Sequence, residues 1–262
     1  MLGEGTISKQ YRIERELAGA QAMQNSLFPA ESLRLPGLRL SGSVLSASEC
    51  SGDWWQYAVI EDQAVMVLGD VTGHGVPAAL VTVAAHVGFT LAVSEFKENE
   101  GSFTMGGLLA KVQRSVSVTG GLEASMTFVA ARINLATGEA EIFNGGNPCP
   151  MLVRGSKVFP IFGVFNRALG NFGQPPGAFS SMSLQLQQGD RILFYTDGML
   201  ERRPRDGGKI SRMRLAANVA ELCSREGSSA ESICQGVMSQ ISAFMNGPLP
   251  DDITCIVAEI PL

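Results

Sequence analysis

Apolar and polar positions change rhythm several times along this chain. Over residues 8–27, Ile13, Leu17, Ala20, Gln24 and Leu27 recur at alternating steps of four and three, with Gln24 as one polar layer. That spacing places them on one face of a helix flanked by Arg12, Glu14, Arg15 and Glu16, with Pro29 ending it. Such a seam has three candidate partners: the chain's own domain, a second copy of the chain, or a connector to an upstream sensor domain. Beyond Pro36-Gly37 the rhythm turns alternating. Strands are predicted over 38–47, 54–60 and 64–68, the last two joined at Glu61-Asp62-Gln63. A glycine loop then leads into an apolar helix from Pro77, and a second helix covers 103–118. Hairpins follow over 126–134 with 139–144, turning at Ala136-Thr137-Gly138, and over 151–153 with 157–160, around Gly155. Residues 163–179, rich in glycine and proline, read as a surface loop, and 182–186, 192–195 and 253–260 as strands. Ser228 with Glu231 matches a capping box, opening a helix whose apolar face is Ile233, Val237, Ile241 and Phe244. Strands in meander order with helices in pairs predict an α+β architecture in which packed sheets are covered by helices. The expected organisation is a linker helix over residues 1–30 followed by one domain over 31–262.

Composition narrows the function classes. With 262 residues, 45% hydrophobic and 17% charged, the chain can fill a large core. A net charge of −5 offers no basic face for nucleic acid. The five cysteines form no C-x-x-C pair, which argues against a disulfide framework or a structural zinc site and fits buried thiols in a reducing, cytoplasmic setting. The start, Met-Leu-Gly-Glu and then polar residues, carries no signal-peptide pattern. The longest apolar run, 76–93, is interrupted by Pro77, Thr82, His86 and Thr90, so it reads as a buried helix and no membrane partner is expected.

The candidate chemistry lies in the aspartates. Asp53, Asp70, Asp197 and the pair Asp251-Asp252 each sit at the edge of an apolar segment, and glycine adjoins the first three. A carboxylate beside glycine at a strand end can enter a cleft where the backbone comes close. Carboxylates that converge repel one another unless a proton or a cation lies between them. Oxygen ligands without a cysteine or histidine cluster suit Mg or Mn rather than Zn.

Five blocks, in order, resemble those of the bacterial SpoIIE/RsbU-type members of the metal-dependent PPM serine/threonine phosphatases. They are Ser51-Gly52-Asp53-Trp54-Trp55; Asp70-Val71-Thr72-Gly73-His74-Gly75-Val76-Pro77-Ala78-Ala79; Asn144-Gly145-Gly146-Asn147-Pro148-Cys149-Pro150; Gly189 through Gly198, with Glu201 following; and Asp251-Asp252-Ile253-Thr254. The resemblance implies two mainly antiparallel β-sheets packed as a sandwich and flanked by helix pairs. It implies two divalent cations, Mn or Mg, bridged by Asp70 as the central catalytic residue. Asp53 and the Val71 carbonyl would serve one cation, and Asp197 and Asp251, with Asp252 beside it, the other. Such a pair can orient and deprotonate a water for attack on phosphorus. It also reverses the local field of an acidic protein that must receive an anionic substrate. The implied substrate is a phosphoserine or phosphothreonine on a STAS-type anti-sigma-factor antagonist or a similar signalling protein.

The chain departs from the pattern at Asn147, where the family has histidine, and at Ser51, where it has glycine. His74 lies two positions beyond the histidine site of other PPM enzymes, so it reads as ordering the glycine loop. His86, Trp54 and Trp55 read as packing residues. Residues 73–78 also fit G-x-G-x-x-A, a dinucleotide fingerprint, but Asp70 at the loop entrance would repel a pyrophosphate and no alternating βαβ units follow. Gly208-Lys209 lacks the rest of a Walker loop. A pseudophosphatase, a binding module that keeps the fold without turnover, remains the alternative; loss of a metal carboxylate would mark it.

Overall fold

A computed structural model describes the chain apart from residues 1, 99–102, 122, 164, 171–177, 201–209, 245, 246, 248 and 262. In chain order the elements are α1 (Leu2–Asn25), β1 (Ser32–Leu35), β2 (Leu38–Leu45), β3 (Asp53–Ile60), β4 (Gln63–Val71), α2 (Val76–Glu98), α3 (Met105–Gly120), β5 (Ser125–Asn134), β6 (Glu139–Gly145), β7 (Met151–Arg154), β8 (Lys157–Pro160), β9 (Leu169–Gly170), β10 (Met182–Gln185), β11 (Arg191–Tyr195), α4 (Arg212–Ser224), α5 (Ala230–Ala243) and β12 (Ile253–Glu259). A single 3₁₀ turn, Asp197–Met199, follows β11.

The strands form two sheets. One runs β1-β2-β12-β11-β7-β8, the other β10-β6-β5-β4-β3, with β9 pairing separately along β5. The named pairings are antiparallel. Because successive side chains leave a strand on opposite faces, a strand apolar at every position needs cover on both sides. In β4, Ala64, Met66 and Leu68 join the layer between the sheets, where Trp55, Ile133, Phe194 and Ile256 also lie. Val65, Val67 and Val71 face outward, under α2 and α3, whose Ala85, Phe89, Leu108 and Val112 cover them. On the other sheet Leu193, Tyr195 and Val257 are covered by Leu215, Val219, Ile233 and Val237 of α4 and α5. The order is therefore helix pair, sheet, sheet, helix pair, as expected.

Most expected boundaries hold within a few residues. The extension of β4 to Val71 matters most, because it carries Asp70 inside a paired strand. The capping box moves by one residue: Ser229 caps α5 and Ser232 answers it. Ser228 is drawn away because its hydroxyl donates to the Cys223 carbonyl and accepts from Arg191. α4 has no counterpart among the expected elements. The loop expected over 163–179 contains β9, and part of it lies outside the described residues, as does Glu201. α2 is long and apolar enough to cross a membrane, but half of its most apolar stretch is buried within the protein. All five cysteines are free and buried.

α1 touches the domain near its C-terminal end. Its seam is covered progressively toward that end: Ile13 is 46% exposed, Leu17 and Ala20 are half-buried, and Gln24 is buried. The Gln24 amide donates to the Ser51 carbonyl (2.7 Å) and to the Thr82 hydroxyl (3.0 Å) and accepts from the Ser51 N–H (2.9 Å).

Candidate metal centre

The sequence-predicted aspartates gather at one end of the sandwich, from both sheets. Asp53 opens β3 and pairs in register with Asp70 on β4. Asp197 follows β11, and Asp251 and Asp252 precede β12 in the other sheet. Asp70, Asp197 and Asp251 line one cleft of about 250 Å³, together with Val71, Thr72, Gly73, His74, Thr127 and Pro250. A larger cavity of about 310 Å³ between the end of α1 and β2 has Glu31 as the one carboxylate among its lining residues and lacks this donor set.

The remaining two aspartates stand behind the cleft. Asp53 is 1% exposed, and its Oδ2 accepts hydrogen bonds from the hydroxyls of Thr196 (2.9 Å) and Thr254 (2.7 Å). The Thr254 N–H in turn donates to the Thr196 hydroxyl, at 2.9 Å. Asp53 thus joins β3 in one sheet to the ends of β11 and β12 in the other. Asp252, expected beside Asp251 in the site, does not line the cleft with it. Its Oδ1 accepts from the Ala47 N–H (2.6 Å) and its Oδ2 from the Gly52 N–H (2.5 Å), so both oxygens are turned to the β2–β3 loop. Gly198 lets the Asp197 turn close against this segment, since a Cβ there would come 2.0 Å from the Asp252 carbonyl oxygen.

Electrostatics mark the cleft as a place for positive charge. Burial, then the charges of Asp53 and Asp197, push the Asp70 carboxyl well above the usual carboxylate range, and it hydrogen-bonds with that of Asp197. Burial also pushes Asp53 up, opposed by the Thr254 hydroxyl. Carboxyl groups so crowded repel one another, and a cation among them would relieve that repulsion. Among the described residues no group of three or more acidic, histidine or cysteine side chains is placed so that it could hold a metal ion by itself. The donors are carboxylates and main-chain oxygens around an open cleft, which fits a hard divalent cation that keeps some of its waters.

The other singled-out residues lie at the cleft wall, on α2 and on β3. His74 is exposed at the cleft wall. His86 is half-buried on α2, beside Gln56 (3.3 Å), and burial lowers its pKa. Trp54 packs edge-on against Phe89, and Trp55 lies between the sheets. Reading the sequence did not single out Gln24, Thr127, Thr196 or Thr254 for these contacts. For Gln24 the signal was present, a polar residue interrupting an apolar seam. Thr196 and Thr254 lay inside motifs whose aspartates drew the attention.

Residues 60–261 match the family described as Stage II sporulation protein E (SpoIIE). A curated relative, the phosphoserine phosphatase RsbP of Bacillus subtilis, is 25% identical over 194 residues, 72% of this chain and 46% of the relative. The chain thus spans about half the length of that protein. Among solved structures, the SiaA-PP2C domain of Pseudomonas aeruginosa superposes with a TM-score of 0.76 at 16% identity, covering 96% of this chain and 98% of that one. The RsbU and RsbW domains of Rv1364c from Mycobacterium tuberculosis give 0.71 at 26% identity, covering 88% and 63%. On the family match the chain belongs to the SpoIIE family, and its fold is that of the PP2C domains.

Proposed function

We propose that this chain hydrolyses phosphoserine or phosphothreonine on a signalling protein, with a STAS-type anti-sigma-factor antagonist as the favoured substrate, and that it needs divalent cations. The observation that carries this reading is the one cleft that Asp70, Asp197 and Asp251, drawn from both sheets, line together. In this reading two cations, Mn or Mg, would be held by Asp70, shared between them, with Asp53 and the Val71 carbonyl on one side and Asp197 and Asp251 on the other. Asp252 holds the loop that carries Asp53. The cations supply charge neutralisation at the phosphoryl group and lower the pKa of a water. The chain's residues fix the site's shape: Thr196 and Thr254 hold Asp53 from behind, and the tight turn at Gly198 seats Asp197. Hydrolysis sends one water proton to the departing serine oxygen and leaves the other on phosphate. The RsbP relative is itself described as a phosphoserine phosphatase, which supports the substrate class.

Residues 1–30 act in this reading as a linker helix. The seam, exposed at Ile13 and half-buried at Leu17, would be the face of a homodimer, and an upstream sensor domain would act through it. The test of function is phosphate release from a phosphorylated STAS-domain protein with Mn, with Mg, and after chelation. Release that depends on added metal is expected. Equal release from a chelator-treated preparation would remove the metal reading, and no release from any phosphoprotein would remove the phosphatase reading.

A further inference from the structure

Thr127 stands on β5 directly opposite Asp70 on β4 and lines the same cleft. Its hydroxyl donates to the Asn147 Oδ1 at 2.9 Å. A threonine hydroxyl has one proton, and here it is committed, so toward the cleft Thr127 offers only lone pairs. An acceptor in that position is mismatched to a phosphoryl oxygen, which is also an acceptor. It is matched to a donor, and water is the donor this chemistry requires.

The side chain is held in place from the other side as well. Gly146 has φ of 96°, and a Cβ on it would come 3.2 Å from the Thr127 methyl carbon, so this turn can be laid over that methyl only without a side chain. The Asn144 amide donates to the Asn147 carbonyl (3.0 Å) and fixes the turn. Asn147 is 5% exposed, and its Nδ2 has no hydrogen-bond partner among the described residues. A buried amide with one end unsatisfied is held at a cost in stability. What it secures here is the direction of the Thr127 proton.

We infer that Thr127 is a catalytic residue that accepts a hydrogen bond from the attacking water beside Asp70, and that Asn147 is its positioning residue. The inference rests on the phosphatase reading above and adds to it the group that aims the water. In the step itself the water oxygen bonds to phosphorus as the bond from phosphorus to the serine oxygen breaks. Thr127 keeps its own proton throughout and only orients the water.

Three variants and one structure test it. With p-nitrophenyl phosphate and Mn, Thr127→Val should lower kcat about tenfold with KM within about twofold, the loss of one aimed hydrogen bond. Thr127→Ser keeps the hydroxyl and should stay near the parent. Asn147→Ala frees the proton to turn into the cleft and should lower kcat as Thr127→Val does, again without raising KM. A crystal structure of the Mn-loaded parent should place a water within about 3 Å of the Thr127 Oγ1. Unchanged kcat in Thr127→Val, a raised KM in its place, or loss of activity in Thr127→Ser as well would overturn the proposal. So would a Mn-loaded structure with no such water, which decides the matter even if Asn147→Ala fails to fold. A parent that turns over no phosphomonoester or phosphoprotein points instead to failure of the phosphatase reading, which unchanged turnover in Thr127→Val does not touch.

Discussion

Removing the Asp252 carboxylate would strip acceptors from the Ala47 and Gly52 N–H groups. Buried donors left unmatched carry most of their desolvation penalty. Asp252→Ala should therefore destabilise the metal-free protein by about 2–4 kcal/mol, a fall in Tm of about 5–15 °C for a chain of this size. Asp251 faces the cleft and accepts a hydrogen bond from the Asp252 N–H at 2.8 Å. Asp251→Ala should weaken stabilisation by Mn. Scanning fluorimetry of both variants with and without Mn separates the roles; equal behaviour would refute the division. Asp70→Asn should abolish nearly all turnover. Because it relieves repulsion among crowded carboxyls, it should leave the chelated protein as stable as the parent or more so. A near-normal kcat would show that Asp70 is not the bridge. At this scale the sequence disclosed which aspartates gather, through their glycine neighbours and the order of the motifs. It did not disclose that Asp252 turns away. That depends on the backbone of a loop some 200 residues earlier in the chain.

Helices were legible where an apolar stripe or a proline marked them, as in α2 and the inner face of α5. α4 was harder, because Leu215, Val219 and Leu222 are separated by alanines and polar residues and the stripe is thin. The cap of α5 slipped by one residue because two adjacent serines satisfy the same local pattern, and Arg191, far along the chain, decides between them. α1 gives the element-scale predictions. Gln24 joins it to the Ser51 backbone, two residues before Asp53, and to Thr82 on α2. Gln24→Ala should raise amide exchange at residues 51–53 and reduce Mn affinity several-fold without altering mass in solution. Leu17→Glu acts on the half-buried part of the same helix, two turns earlier. Light scattering should find it monomeric if the seam pairs two copies, and an unchanged mass would discard the dimer.

Across the whole molecule, the four-layer order followed from strands apolar on both faces, since only cover on both sides accounts for them. What the pattern could not supply is the relative placement of the two sheets, which is set by contacts between residues far apart in sequence. The acidic end sits where the sheets meet, so a cation bound there stabilises the native state by mass action. At a free concentration about 100 times its Kd, Mn should add about 2.7 kcal/mol, raising Tm by about 5–10 °C. A Tm indifferent to Mn and to EDTA would argue against a cation site.

The tie from Asp53 to Thr196 and Thr254 also has a mechanical side. It joins the two sheets at one end, like the stitching of two leaves along an edge. A cation spanning Asp70 on one leaf and Asp197 and Asp251 on the other would act as a removable rivet beside that stitching. Pulled apart in an optical trap from one residue on each leaf, the riveted molecule should rupture at higher force than the chelated one. Without the rivet, the leaves should begin to part at the acidic edge.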